Sequence, residues 1–99
     1  MDYVAHFFAA LFLVNGVPHF VQGVSGNRFQ SPFAKPPGVG ESSPESNVLW
    51  GSANFIVGSL LLNVVTFELG FNVHSLVFLV GALAMAFFLA RYFGRVRNK

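Results

Sequence analysis

The chain has 99 residues, 54% of them hydrophobic and only 10% charged, with 13 Phe, no Cys and a formal net charge of +2. A soluble domain carries about 25% charged residues, and one this short buries little apolar surface, so the composition excludes an ordinary soluble globule. The absence of Cys excludes disulfides, thiolate metal sites and Cys nucleophiles. The pI near 9.5 comes from a few clustered cations rather than a nucleic-acid-binding surface.

The first apolar stretch covers about residues 3–24. Roughly 20 helical residues cross a hydrocarbon core of about 30 Å, so this stretch is long enough to span. It begins Met1-Asp2-Tyr3, acidic where a signal peptide needs positive charge, and reads as a retained span. Pro18 lies inside it and predicts a kink, because proline lacks an N–H and clashes with the carbonyl of Val14. Asn15 and His19 are close enough to satisfy the backbone groups that Pro18 frees.

A loop of about residues 25–46 follows. It holds every Pro except Pro18, with several Gly and Ser, and predicts no regular structure. Lys35-Pro36-Pro37 favours an extended, polyproline-like path. Phe29 and Phe33 stand among Arg28 and Lys35, and rings beside cations suit a headgroup boundary, so these four are the candidate interfacial contacts. The second span is about residues 47–67. Two cap registers are open at its start: Ser43 before Pro44, or Ser42 with Glu45 three residues on. Trp50 sits near the inner interface and Gly70 can end the helix. The short turn to the third span, about residues 73–93, predicts an antiparallel hairpin of helices two and three.

All six Lys and Arg fall on one side of this scheme. Arg28 and Lys35 lie in the loop; Arg91, Arg95, Arg97 and Lys99 follow the third span. The positive-inside rule then puts the N-terminus outside and the loop and C-terminus in the cytoplasm. The expected fold is all-α: one integral membrane domain over residues 1–99, with three transmembrane helices and a kinked first helix.

Small and polar residues recur at helical spacing. In the first span they are Gly16, His19, Gly23 and Gly26, with Asn15 and Gln22 alongside. In the second they are Asn47, Gly51, Asn54 and Gly58, flanked by Asn63. Such stripes serve close helix packing, or line a pathway. Ala82, Ala86 and Ala90, plus Gly81, give the third span a small-residue face for another helix of the same chain or a second subunit. His6 and His74 fall at similar depth near the outer side. Two imidazoles there are a low-weight candidate for haem or a metal, set against two interfacial His bonded to their surroundings, since a closed metal site needs four ligands. Glu68 is placed to pair with His74. No carboxylate pair, phosphate loop or catalytic constellation is visible, so no enzyme activity and no cofactor is expected.

Asn15-Gly16-Val17-Pro18-His19-Phe20, with Gly23, Gly26, Phe29 and Pro32-Phe33 after it and Ser43-Pro44 and Asn47-Val48-Leu49-Trp50-Gly51 further on, resembles a pattern in small three-span bacterial membrane proteins. The resemblance covers about half the chain and implies a bacterial inner-membrane setting without an activity. Half-size sugar transporters also have three spans, but carry Pro-Gln in the first helix where this chain has Pro18-His19. The leading expectation is a structural or accessory membrane protein that contacts lipids and oligomerises or docks to a larger membrane protein. The alternatives are a transporter or channel protomer, with Asn15, His19, Asn47 and Asn54 facing a wet cavity, and a haem- or metal-binding redox subunit.

Overall fold

The computed structural model describes residues 2–64 and 70–98. Its elements are α1 (Asp2–Val24), β1 (Phe29–Gln30), β2 (Glu41–Ser42), α2 (Pro44–Val64) and α3 (Val73–Arg97). The helices of 23, 21 and 25 residues are rods of roughly 34, 32 and 38 Å at 1.5 Å per residue. α1 and α3 are each long and apolar enough to cross a membrane, and α3 hides little of its apolar surface within the chain. The backbone stays helical through Pro18.

Local chemistry sets the helix ends. At the end of α1, Asn27 N–H donates to Gln22 O and Gly26 N–H to Gly23 O, with Gly26 at φ +79°. That is a Schellman cap, and only glycine adopts its left-handed position without strain. Gly26 is therefore a stop signal and not part of the packing stripe, and nothing lies within 4 Å of where its Cβ would be. α2 resolves the two open registers: Ser43 is the cap, its Oγ accepting from Ser46 N–H at 3.1 Å, with Pro44 in the first helical position. α3 has a cap that sequence reading missed. Asn72 Oδ1 accepts from Ser75 N–H at 2.8 Å. The end of the second span at residues 65–67, and Glu68 with its expected pairing to His74, lie outside the described residues, so no C-cap role for Gly70 is traced.

α1 is the central helix. α2 and α3 each pack along it and scarcely touch one another. This corrects the expectation of a tight α2–α3 hairpin. The physical reason is visible in the glycines. Gly16, Gly23, Gly51 and Gly58 bring α1 and α2 so close that a Cβ on Gly51 would sit 2.8 Å from Phe20 N and 2.9 Å from Gly16 O. α3 meets α1 at Gly81, where a Cβ would lie 3.0 Å from Phe7 O. Of the small residues of that face Gly81 makes the contact, buried like Leu89, whereas Ala86 and Ala90 are exposed.

The loop holds a short piece of regular structure where none was expected. Phe29 pairs with Ser42 and Gln30 with Glu41 in an antiparallel ribbon. Residues 35–37 turn rather than extend, with a cis Lys35–Pro36 bond and with Val39 and Gly40 N–H both donating to Pro36 O. Tyr92 Oη donates to Gly38 O at 2.8 Å, and Arg97 Nη1 donates to Gln30 Oε1 at 2.8 Å, tying the loop to the end of α3.

Candidate functional site

The two polar stripes meet. Asn15 Nδ2 donates to Asn54 Oδ1 at 3.0 Å, and His19 Nδ1 lies 2.8 Å from Asn47 Oδ1. Neither α1 side chain turns back to repair the backbone at Pro18; both reach across to α2. Asn47 is the hub. Its Nδ2 faces three carbonyls, Phe29 O at 3.1 Å, Ser42 O at 3.3 Å and Ser43 O at 3.1 Å. The side chain thus fastens the ribbon to the start of α2 and, through His19, to α1.

That arrangement fixes the protons. Asn47 Nδ2 is committed as donor, so Oδ1 must accept, and the His19 proton is on Nδ1. In the neutral ring Nε2 is then a lone-pair acceptor. Among the described residues Nε2 has no hydrogen-bond partner. The same logic applies one turn earlier. Asn54 Nδ2 donates to Trp50 O at 2.8 Å, which leaves Asn54 Oδ1 for Asn15 Nδ2 and turns Asn15 Oδ1 into a spare acceptor.

Because α2 and α3 stay apart, a cavity of about 320 Å³ opens beside α1 at the loop end. Asn15, His19, Trp50, Phe88 and Tyr92 line it, and Gln30 and Ser31 close its floor. A second recess of about 260 Å³ runs on along α1 past Phe8, Phe12 and Met85, sharing Asn15 and Trp50 with the first. The Trp50 indole Nε1–H is buried without an acceptor. Such an orphan donor costs about 1–3 kcal/mol. Trp50 and His19 are neighbours, ring centroids 6.3 Å apart.

A chain of aromatic rings closes the loop end. Phe29 is buried between His19 and Phe93, at 5.4 and 4.6 Å between centroids, with the Arg97 guanidinium 4.7 Å above its ring. Phe29 is therefore a core residue and not a headgroup contact, a correction with a plain cause: β1 turns it inward. Phe33 remains exposed at 68% while edging onto Trp50 at 5.1 Å. Arg28 donates to Glu41 O, and Lys35 is exposed.

Other candidates fall elsewhere. Gln22 accepts from Asn27 Nδ2 at 2.9 Å and lines a separate groove between α1 and α3. Asn63 is exposed. Near the opposite end, His6 and His74 do come together, Nδ1 to Nδ1 at 3.0 Å, with the rings edge to face and Tyr3 beside His74. One Nδ1 must donate and the other accept. Among the described residues no three His, Cys, Asp or Glu gather as a metal site.

No protein-family model, curated protein or solved structure matches this chain. Sequence reading singled out Asn15, His19, Asn47 and Asn54, which the fold brings into one seam. It placed Trp50 near the inner interface and Arg97 among the cations after the third span, and did not single out Gln30 or Ser31. A signal existed for Tyr92 and Arg97: they stand five residues apart at the inner end of the third helix, and their polar ends needed partners.

Proposed function

We propose that this chain is a small bacterial inner-membrane protein with three membrane-crossing helices, N-terminus outside and C-terminus inside, acting as a structural or accessory subunit that oligomerises or docks to a membrane partner. The observation that carries this reading is the fate of the polar groups. Asn47 and Asn54 are 0% and 2% exposed and bonded across the α1–α2 seam. Polar side chains used in this way fix register rather than pass a solute. The outward residues of α2 and α3, Ile56, Leu60, Leu79 and Leu83 among them, are exposed and apolar. Lipid or the apolar face of another membrane helix is their natural cover.

The topology draws support from the loop end. Arg28 and Lys35 belong to the loop, and Tyr92 and Arg97 bind it, so the cations of α3 share its end of the bundle. Cations collected on one side mark the cytoplasmic face.

The transport reading keeps one observation in its favour: Asn15 and His19 line a cavity. The sealing of Asn47 and Asn54 weighs against a continuous wet path. Native mass spectrometry on protein extracted gently from its own membrane tests the proposal. A stoichiometric complex with a larger membrane protein is expected. A closed homo-oligomer containing no other protein shifts the weight to transport, and a bare monomer with lipid alone removes both.

A further inference from the structure

We infer that the cavity between α2 and α3 is a binding site for an uncharged amphiphile, a membrane-soluble molecule with a hydroxyl head and an apolar body. Two groups at the cavity define the head. His19 Nε2 and Asn15 Oδ1 are lone-pair acceptors, fixed as such by Asn47 and Asn54. A hydroxyl answers them, since it has a hydrogen to donate. An ether, ester or ketone only accepts and leaves the two acceptors unserved. No Asp, Glu, Lys or Arg lines the cavity, which disfavours a charged head that would have to be desolvated.

The body follows from the walls. Phe88, Leu89 and Phe93 flank the head region, and the recess that continues past Phe8, Leu11, Phe12 and Met85 is apolar. A cavity of about 320 Å³ is at the small end of ligand sites, with mostly apolar walls and a few convergent polar groups, as such sites have. The loop closes the polar end through Ser31 and Gly38, with Gly38 O held by Tyr92. The opening therefore lies between the helices, where a molecule dissolved in the bilayer arrives.

The chain has one Trp, and it lines both compartments. Trp50 fluorescence in lipid nanodiscs therefore reads the site directly. The probes are a medium-chain alcohol brominated at its far end, the bromoalkane of the same length, and the methyl ether of the alcohol. The expected result is saturable quenching by the alcohol at concentrations about tenfold or more below those of the other two, the factor one hydrogen bond supplies. The test variant is His19→Asn. Asparagine Nδ2 takes the place of Nδ1, so the bond to Asn47 Oδ1 survives while the Nε2 acceptor is lost. This variant should keep the helical signal and thermal midpoint and lose the alcohol's advantage. Equal quenching by all three probes on the unaltered protein overturns the proposal without reference to any variant. So does a well-folded His19→Asn protein that still prefers the alcohol. Neither outcome bears on whether the chain assembles with a partner.

Discussion

Gly51→Ala adds one methyl group, and the structure gives its cost. The new Cβ would stand 2.8 Å from Phe20 N and 2.9 Å from Gly16 O, both backbone atoms that no rotamer change can move. Ordinary contact begins near 3.4 Å, so α1 and α2 must part by about 0.6 Å, enough to forfeit a quarter or more of each dispersion contact along the seam. The same shift stretches Asn15–Asn54 from 3.0 to about 3.6 Å and His19–Asn47 from 2.8 to about 3.4 Å, at or past the limit of a useful hydrogen bond. Overpacking costs about 1–3 kcal/mol. Two weakened interhelical polar contacts add about 0.6 kcal/mol each. Alanine's better helix propensity returns about 1 kcal/mol. The net expectation is destabilisation of about 1–3 kcal/mol. Gly94→Ala is the internal control, since nothing lies within 4 Å of its Cβ position. There the propensity gain stands alone, and stability should rise by about 0.5–1 kcal/mol. The assay is reversible unfolding in mixed micelles, followed by helical circular dichroism and by Trp50 emission. Equal effects of the two substitutions, or a Gly51→Ala protein as stable as the parent, would refute the claim that a glycine seam holds α1 to α2.

Asn47→Ala should be more severe, about 3 kcal/mol or more, because it removes the side-chain donor facing Phe29 O and Ser42 O and the acceptor of His19 Nδ1–H, while Ser43 O keeps the Asn47 backbone N–H; the same unfolding assay checks it, and a loss below 1 kcal/mol would show that the hub is dispensable. Tyr92→Phe removes only the bond to Gly38 O and should cost about 1 kcal/mol, with faster hydrogen exchange confined to residues 31–40; unchanged loop exchange would mean that Tyr92 does not hold the loop. Arg97→Ala should destabilise by about 1 kcal/mol through loss of Gln30 and of the Phe29 ring contact, whereas exposed Arg95→Ala should be neutral within about 0.5 kcal/mol; similar losses in thermal melts would argue for a charge effect without the specific contact. The chain has no Cys, so single cysteines report topology cleanly. Cysteine at Tyr3 should react with a membrane-impermeant maleimide in intact cells and cysteine at Ser46 only after lysis, and the reverse pattern would invert the proposed orientation.

What the sequence made legible was what repeats along a helix. Gly16, His19 and Gly23 against Asn47, Gly51 and Asn54 are spaced at three and four residues, and that periodicity alone identifies two faces made to approach closely. The loop was not legible, because its structure is not periodic. Phe29 reads as an exposed ring beside a cation until β1 pairs with β2 and turns it under His19 and Phe93. Proline and glycine at residues 36–40 signal irregularity, not which irregular path is taken. Nor did a short connection between the second and third spans reveal which helix each prefers. Connection length bounds distance; packing partners are chosen by surfaces, and the small-residue surface of α2 faces α1.

The two outer helices are consequently held by different physics. In lipid there is no hydrophobic drive between helices, since leaving the bilayer for a neighbour gains no apolar burial. α2 is held by dense packing along its length, where glycines admit backbone contact. α3 meets α1 closely at Gly81 and is fastened near its ends, by His6 with His74 at one and by Tyr92 and Arg97 with the loop at the other. α3 stands off from α2 at the loop end, and the cavity with its spare acceptors lies in that gap. The device that holds α3 in place is thus also what keeps the site open, and substitutions that loosen the loop should alter probe binding at Trp50 before they alter the α1–α2 seam.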